Sequence, residues 1–95
     1  MSQPQKTQQP QGSRLIIVTP NAILYDGLFS GTYFHAGLGM MGVMPGHEPM
    51  VVELQDGAMH FEDTSGKVHQ YQLTGAMAHV TQRELVIHAV TAVAA

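Results

Sequence analysis

The stretch Ala58-Met59-His60-Phe61-Glu62-Asp63-Thr64-Ser65-Gly66-Lys67-Val68-His69-Gln70-Tyr71-Gln72-Leu73 carries the plainest fold signal in the chain. Two strand-like runs, Ala58–Glu62 and Lys67–Leu73, flank Asp63-Thr64-Ser65-Gly66. Turn residues with a Gly between such runs are a β-hairpin signature. With Thr64-Ser65 as the tip, Glu62 is expected opposite Lys67 and His60 opposite His69. Directly opposed residues share one face, so these four would converge.

The same punctuation runs outward in both directions. Apolar segments are broken by Gly, Pro, Asn or Asp at intervals of about 8–12 residues, a spacing that argues for an all-β sandwich or barrel. Arg14–Thr19 is a near-continuous β-branched run, suited to a strand buried on both sides, and Pro20-Asn21 breaks it. Ala22–Phe29 reads as a second strand with a bulge or bend at Asp26-Gly27. Gly31–Ala36 reads as a third. Met50–Leu54 reads as a fourth, closed by Gln55-Asp56-Gly57. Gly75–Val80 and Glu84–Val90 flank Thr81-Gln82-Arg83 as a second hairpin. No window holds a sustained helical spacing of apolar residues. Val90–Ala95 is the one place where a helix is conceivable, because Ala is a strong helix former, but it is too short to be stable alone. The expected fold is all-β: a two-sheet antiparallel β-sandwich of roughly 8–10 short strands without substantial helix. Residues 1–13, rich in Gln and Pro, read as a flexible tail, and 14–95 as the single sandwich domain.

Composition narrows the function. The chain has 95 residues, a formal net charge of −3 and only 4 Lys+Arg, so it lacks the basic cluster that nucleic acid binding needs. Only 12% of residues are charged, which favours a subunit of something larger over a free-standing domain. Cys is absent, excluding disulfides and thiolate chemistry. The longest apolar runs fall far short of the roughly 20 residues of a membrane helix. The start of the chain has no apolar core of a signal peptide.

Three groups of residues are candidates for chemistry or contact. His60 and His69, with Glu62, could hold zinc if they shared a face; a solvated polar hairpin face is the plainer reading. His47, after Pro45-Gly46, could act as a general base or lock its loop through its ring nitrogens, and the structural role is favoured. No nucleophile elbow, paired carboxylate or phosphate loop stands out, and no cofactor is expected. The third group is Gly39-Met40-Met41-Gly42-Val43-Met44-Pro45-Gly46-His47-Glu48-Pro49-Met50, a density of Gly, Pro and apolar residues that reads as a shaped loop. Met40 and Met41 are adjacent, so on extended chain one points in and the other out. Beside Leu38, the outward one makes an exposed apolar edge, the mark of a contact site.

Four sets of residues, in one order, resemble the N-terminal β-sandwich domain of the epsilon subunit of F-type ATP synthases (delta in mitochondria). They are Val18-Thr19-Pro20 with Leu24-Tyr25-Asp26-Gly27; Gly39 to Met50, with Gly42, Pro45, Gly46, His47 and Pro49; Leu54 to Gly57; and Leu73-Thr74-Gly75 with Leu85 to Ala92. The resemblance covers about four-fifths of the chain. It departs at Ala76, where the family has a second Gly, and at Val90, where it has an acidic residue. Family members continue past the last strand into an α-helical hairpin that in bacteria restrains ATP hydrolysis and in some binds ATP. The sequence stops at Ala95, so neither role is carried over and ATP binding is not expected.

The resemblance implies a non-catalytic rotor subunit of a proton- or sodium-translocating enzyme. It would link the gamma subunit to the c-ring and transmit torque. It would lie peripheral to the membrane, on the cytoplasmic face in a bacterium, or on the matrix or stromal side in an organelle. Leu38, Gly39, Met40, Met41, Gly42, Pro45, Gly46 and His47 are the expected partner-binding edge, with apolar residues where the family often has acidic ones. The alternative is a small metal- or ligand-binding sandwich that uses His60 and His69.

Overall fold

A bulky β-branched run can hide only one side of itself when it lies in a two-layer protein, and the first strand shows this. In the computed structural model, which describes residues 13–37 and 39–95, β1 spans Ser13–Thr19. Leu15 and Ile17 are fully buried, whereas Ile16 and Val18 on the other side are half-covered, so β1 is not buried on both sides as expected. The expected tail lies outside the described residues except for Ser13, which is buried and pairs with Phe29.

Eight further strands follow: β2 Ala22–Ala36, β3 Gly39–Val43, β4 Met50–Glu53, β5 Gly57–Asp63, β6 Val68–Thr74, β7 Met77–Val80, β8 Glu84–His88 and β9 Thr91–Ala94. The described residues are all-β without helix. The sheet order is β4-β7-β8-β1-β2-β5-β6-β9, with β3 on the other edge of β2. The pairing is antiparallel except between β1 and β8, which run parallel over Arg14–Val18 and Glu84–His88. That one parallel contact ties the start of the domain to its end.

The two runs expected as separate strands are one 15-residue strand, β2. Its first half pairs with β1 and its second half with β3 and β5, so it serves both layers of the sandwich. Ser30 is the hinge. Phe29 pairs with Asp63 and Gly31 with Glu62, leaving Ser30 as an extra residue whose hydroxyl donates to the Glu62 carbonyl at 3.2 Å. An extra residue inverts the side-chain alternation. Accordingly Phe29 points inward before it, and Thr32 and Phe34 point inward after it.

The first irregularity also falls elsewhere than expected. Asp26 and Gly27 sit in regular register with Ile16 and Leu15, and the extra residue is Leu24. Asp26 stays in register while its carboxylate takes two bonds from the Arg14 guanidinium, both 2.8 Å. Gly27 leaves room for the Tyr25 ring: a Cβ there would stand 2.8 Å from the Tyr25 hydroxyl, so the ring would have to shift.

The core collects the inward side chains of both layers, with Phe29, Phe34, Phe61, Met59, Leu15, Leu85 and Ile87 almost wholly buried. Tyr25, Phe61 and Tyr71 form its aromatic part, Tyr25 edge-on to Phe61 at 4.6 Å between centroids. The segment Val90–Ala95, where a helix was conceivable, forms strand β9. Val90 N–H donates to the Thr74 carbonyl and Ala95 N–H to that of Gln70, both at 2.9 Å, on either side of the β6–β9 ladder. A segment this short gains more from a ready-made partner strand than from a single helical turn.

Candidate functional site

The expected shaped loop is half strand. Gly39–Val43 is β3, paired with β2 so that Met40 faces His35, Met41 faces Phe34 and Gly42 faces Tyr33. Leu38 lies outside the described residues. Alternation along β3 separates the two methionines: Met40 is 57% exposed, while Met41 packs against the core. Gly42 is there because the Tyr33 ring lies over it; a Cβ would stand 3.0 Å from the ring.

The true loop is Met44 to Pro49. Its first four residues make a turn in which His47 N–H donates to the Met44 carbonyl at 3.2 Å. Pro45 supplies the fixed φ of the second position, and Gly46, at φ 84°, supplies the left-handed third, as a type II turn demands. The His47 ring lies 2.7 Å from the Glu48 carbonyl through Nδ1. A carbonyl only accepts, so Nδ1 carries the proton and donates. His47 therefore has a local fastening role, in keeping with the structural reading.

The structure does not bring His60 and His69 together. Asp63 N–H donates to the Lys67 carbonyl at 2.9 Å, and Gly66, at φ 91°, closes a loop of three residues, Thr64 to Gly66. That is one residue more than a Thr64-Ser65 tip would give, and it moves the register by one. Phe61 faces His69 and His60 faces Gln70. A one-residue slip sends alternate side chains to opposite faces, so the expected convergence of Glu62, Lys67, His60 and His69 is corrected. Among the described residues no three His, Cys, Asp or Glu side chains are grouped as a metal would require.

Each histidine has found its own surroundings. His69 stacks on Phe61 with 4.7 Å between centroids and 6° between planes, and its Nε2 donates to Asp63 Oδ2 at 2.9 Å. Asp63 Oδ1 accepts from the Ser65 hydroxyl, from Ser65 N–H and from Lys67 N–H. The Ser65 and His69 bonds above all hold the Asp63 carboxyl far below the usual carboxylate range. This carboxylate is a turn fastener that accepts four hydrogen bonds, three at Oδ1 and one at Oδ2.

His60 lies on the outward side and stacks on Tyr33 at 5.2 Å. Met44 lies flat beside them, its sulfur 3.1 Å from where a Cβ of Gly31 would be. Sequence reasoning missed Tyr33 and His35 as surface residues of this edge. The available signal was the pair of glycines, Gly31 and Gly42, that lets large side chains lie down on the sheet. A separate apolar groove of about 450 Å³ runs between Val18, Pro20, Met77 and Val90, and no expected site residue lines it.

These features define a class: a β-sandwich that offers a backbone-shaped edge of uncharged side chains. The chain belongs to the family described as ATP synthase, Delta/Epsilon chain, beta-sandwich domain, which matches residues 13–95. It is similar to the ATP synthase epsilon chain of Psychrobacter arcticus, 29% identical over 79 residues, covering 83% of this chain and 57% of that one. The ATP synthase epsilon chain 2 of Ralstonia nicotianae matches to the same extent. Among solved structures it is similar to a chain of the Euglena gracilis mitochondrial ATP synthase, OSCP/F1/c-ring, with TM-score 0.83 and 29% identity over 90% of this chain and 54% of that one. A chain of the Tetrahymena thermophila mitochondrial ATP synthase central stalk/c-ring, 15% identical with TM-score 0.70 over 85% of this chain and 65% of that one, shares the fold. The chain thus spans a little over half the length of the curated relatives it matches.

Proposed function

We propose that this chain is a non-catalytic central-stalk component of an F-type ATP synthase, joining the gamma subunit to the c-ring and transmitting torque between them. The observation that carries the reading is the β3 edge in its family setting. Met40 stands outward from a strand whose next turn is set by Pro45 and Gly46 and fastened by His47. Gly39, Met40, Gly42, Pro45, Gly46 and His47 form the ring-facing edge, and Met41 anchors it to the core. The sandwich supports the mechanical role. Its strands are paired through one continuous ladder system and its inner faces share one close-packed core, so load on the edge is carried by the whole domain. No helix among the described residues is long and apolar enough to cross a membrane. In this reading attachment to the membrane comes through the ring, with the chain peripheral on the side where the stalk stands.

Co-expression with gamma and c-ring subunits tests this. The chain should co-purify with gamma, and Met40→Glu should weaken its retention on the ring while leaving the fold intact. Failure to bind gamma under any salt condition would refute the reading.

A further inference from the structure

The methionines of the described residues have three kinds of surroundings. Met59 is fully buried, and Met41 and Met50 pack against the core. Met40 and Met77 are exposed. Met44 is 43% exposed, yet it covers a part of the sheet. After the Ser30 hinge, Gly31, Tyr33 and His35 alternate to the outer side of β2, and of these three only Gly31 is buried. The Met44 thioether lies over it. Its Sδ is 3.1 Å and its Cε 3.3 Å from where a Cβ of Gly31 would be, and Cε is 3.8 Å from the same point on Gly42. The Tyr33 hydroxyl lies 3.9 Å from that point on Gly31. Met44 therefore spans two glycines beside the hinge, while its own carbonyl accepts the His47 N–H that closes the following turn.

We propose that Met44 is a reversible oxidation site, and that its sulfoxide withdraws from Gly31 and uncovers the hinge of β2. The oxidant is a peroxide. A sulfur lone pair attacks one peroxide oxygen, and the S–O bond forms as the O–O bond breaks. The proton on the transferred oxygen passes to the other, which leaves as water. The sulfur loses two electrons and the peroxide gains them. A thiol-dependent methionine sulfoxide reductase runs the sulfur back to the thioether. Oxidation turns a flexible apolar side chain into a polar one, and the place that Met44 occupies suits only the former. The backbone beneath it at Gly31 and Gly42 is already paired into the β2–β5 and β2–β3 ladders. A sulfoxide oxygen laid on that backbone loses water and gains no N–H donor from it, whereas turning outward restores its hydration. Met40 and Met77 gain oxygen on side chains that are exposed already, so their oxidation uncovers nothing comparable. The inference is independent of the stalk assignment.

The experiment treats the purified chain with graded hydrogen peroxide, locates the oxidised methionines by peptide mass analysis, and compares thermal melts before and after treatment. It uses the wild type, Met44→Leu and a Met40→Leu/Met77→Leu control. Leu keeps an apolar cover of similar volume that peroxide does not oxidise. In the folded wild type, Met44 should take up oxygen along with Met40 and Met77, while Met41, Met50 and Met59 stay reduced. The melting temperature should then fall by about 4–8 °C, the shift that losing one packing contact causes in a domain of this size. The control should show the same fall, Met44→Leu should show almost none, and the reductase should restore the untreated value. Met44 left unoxidised while Met40 and Met77 react would overturn the inference. So would an oxidised Met44 with an unchanged melt, or a fall that persists in Met44→Leu.

Discussion

Changing Met40 and Met41 separately to Glu should give opposite results, although the two residues are adjacent. Met41 packs against the core beside Phe34, whereas Met40 is 57% exposed opposite His35. Met41→Glu gives up part of the apolar burial of a methionine and brings a carboxylate against the core, together worth about 2 kcal/mol. For a chain of this size that lowers the melting temperature by roughly 8–16 °C. Met40→Glu touches no buried group, and its effect should stay within about 0.5 kcal/mol. Circular dichroism melts and urea titrations of the purified chain measure both. Equal destabilisation of the two variants, or a larger loss for Met40→Glu, would show that the β3 register is wrong and would withdraw the argument for Met40 as the outward contact. The separation also makes Met40→Glu the informative variant for ring attachment, since Met41→Glu confounds attachment with folding.

Gly75 has φ 59°, and a Cβ there would stand 2.7 Å from Val90 Cγ2. Gly75→Ala should therefore cost about 1–2 kcal/mol by urea titration, and an unchanged midpoint would contradict the left-handed turn. The Asp63 carboxyl is held below its ordinary range by Ser65, His69 and two backbone N–H groups, so its contribution is full above the unfolded carboxylate value of about 3.9 and is lost as pH falls below it. Urea midpoints followed from pH 6 to pH 2 should fall, and Asp63→Asn should be less stable at pH 6 and lose less on acidification; a parallel profile would reject the turn-fastener role. Added zinc should leave the melting temperature unchanged, because His60 and His69 lie on opposite faces; a zinc-dependent rise would reopen the metal reading.

Much of the strand pattern was legible from residue types. The β1 run, the β5–β6 and β7–β8 hairpins and the separation of Met40 from Met41 follow from alternation and turn chemistry, which act over a few residues. The Gly39–Met50 segment was legible as a shaped element dense in Gly and Pro, but its division into a strand and a type II turn was not. Gly and Met suit a loop by composition, and what makes Gly39–Val43 a strand is the waiting edge of β2. The same holds for β9, where the β-branched residues Thr91 and Val93 alone are too few to hold a strand and the partner edge of β6 supplies the ladder.

The sequence by itself determined that the protein is all-β, that its turns fall at particular Gly, Pro and Asp positions, and that it carries an uncharged edge with a Pro-Gly-His frame. Tertiary structure decided the rest. One extra residue in the Thr64–Gly66 loop settled that His60 and His69 part company, and one extra residue at Ser30 let a single strand serve both layers. The parallel pairing of β1 with β8 was equally beyond local reading. The physical reason is common to all three. Alternation assigns side chains to two faces but not to partners, and a single inserted residue exchanges the faces, so register is set only when distant strands meet across a shared core.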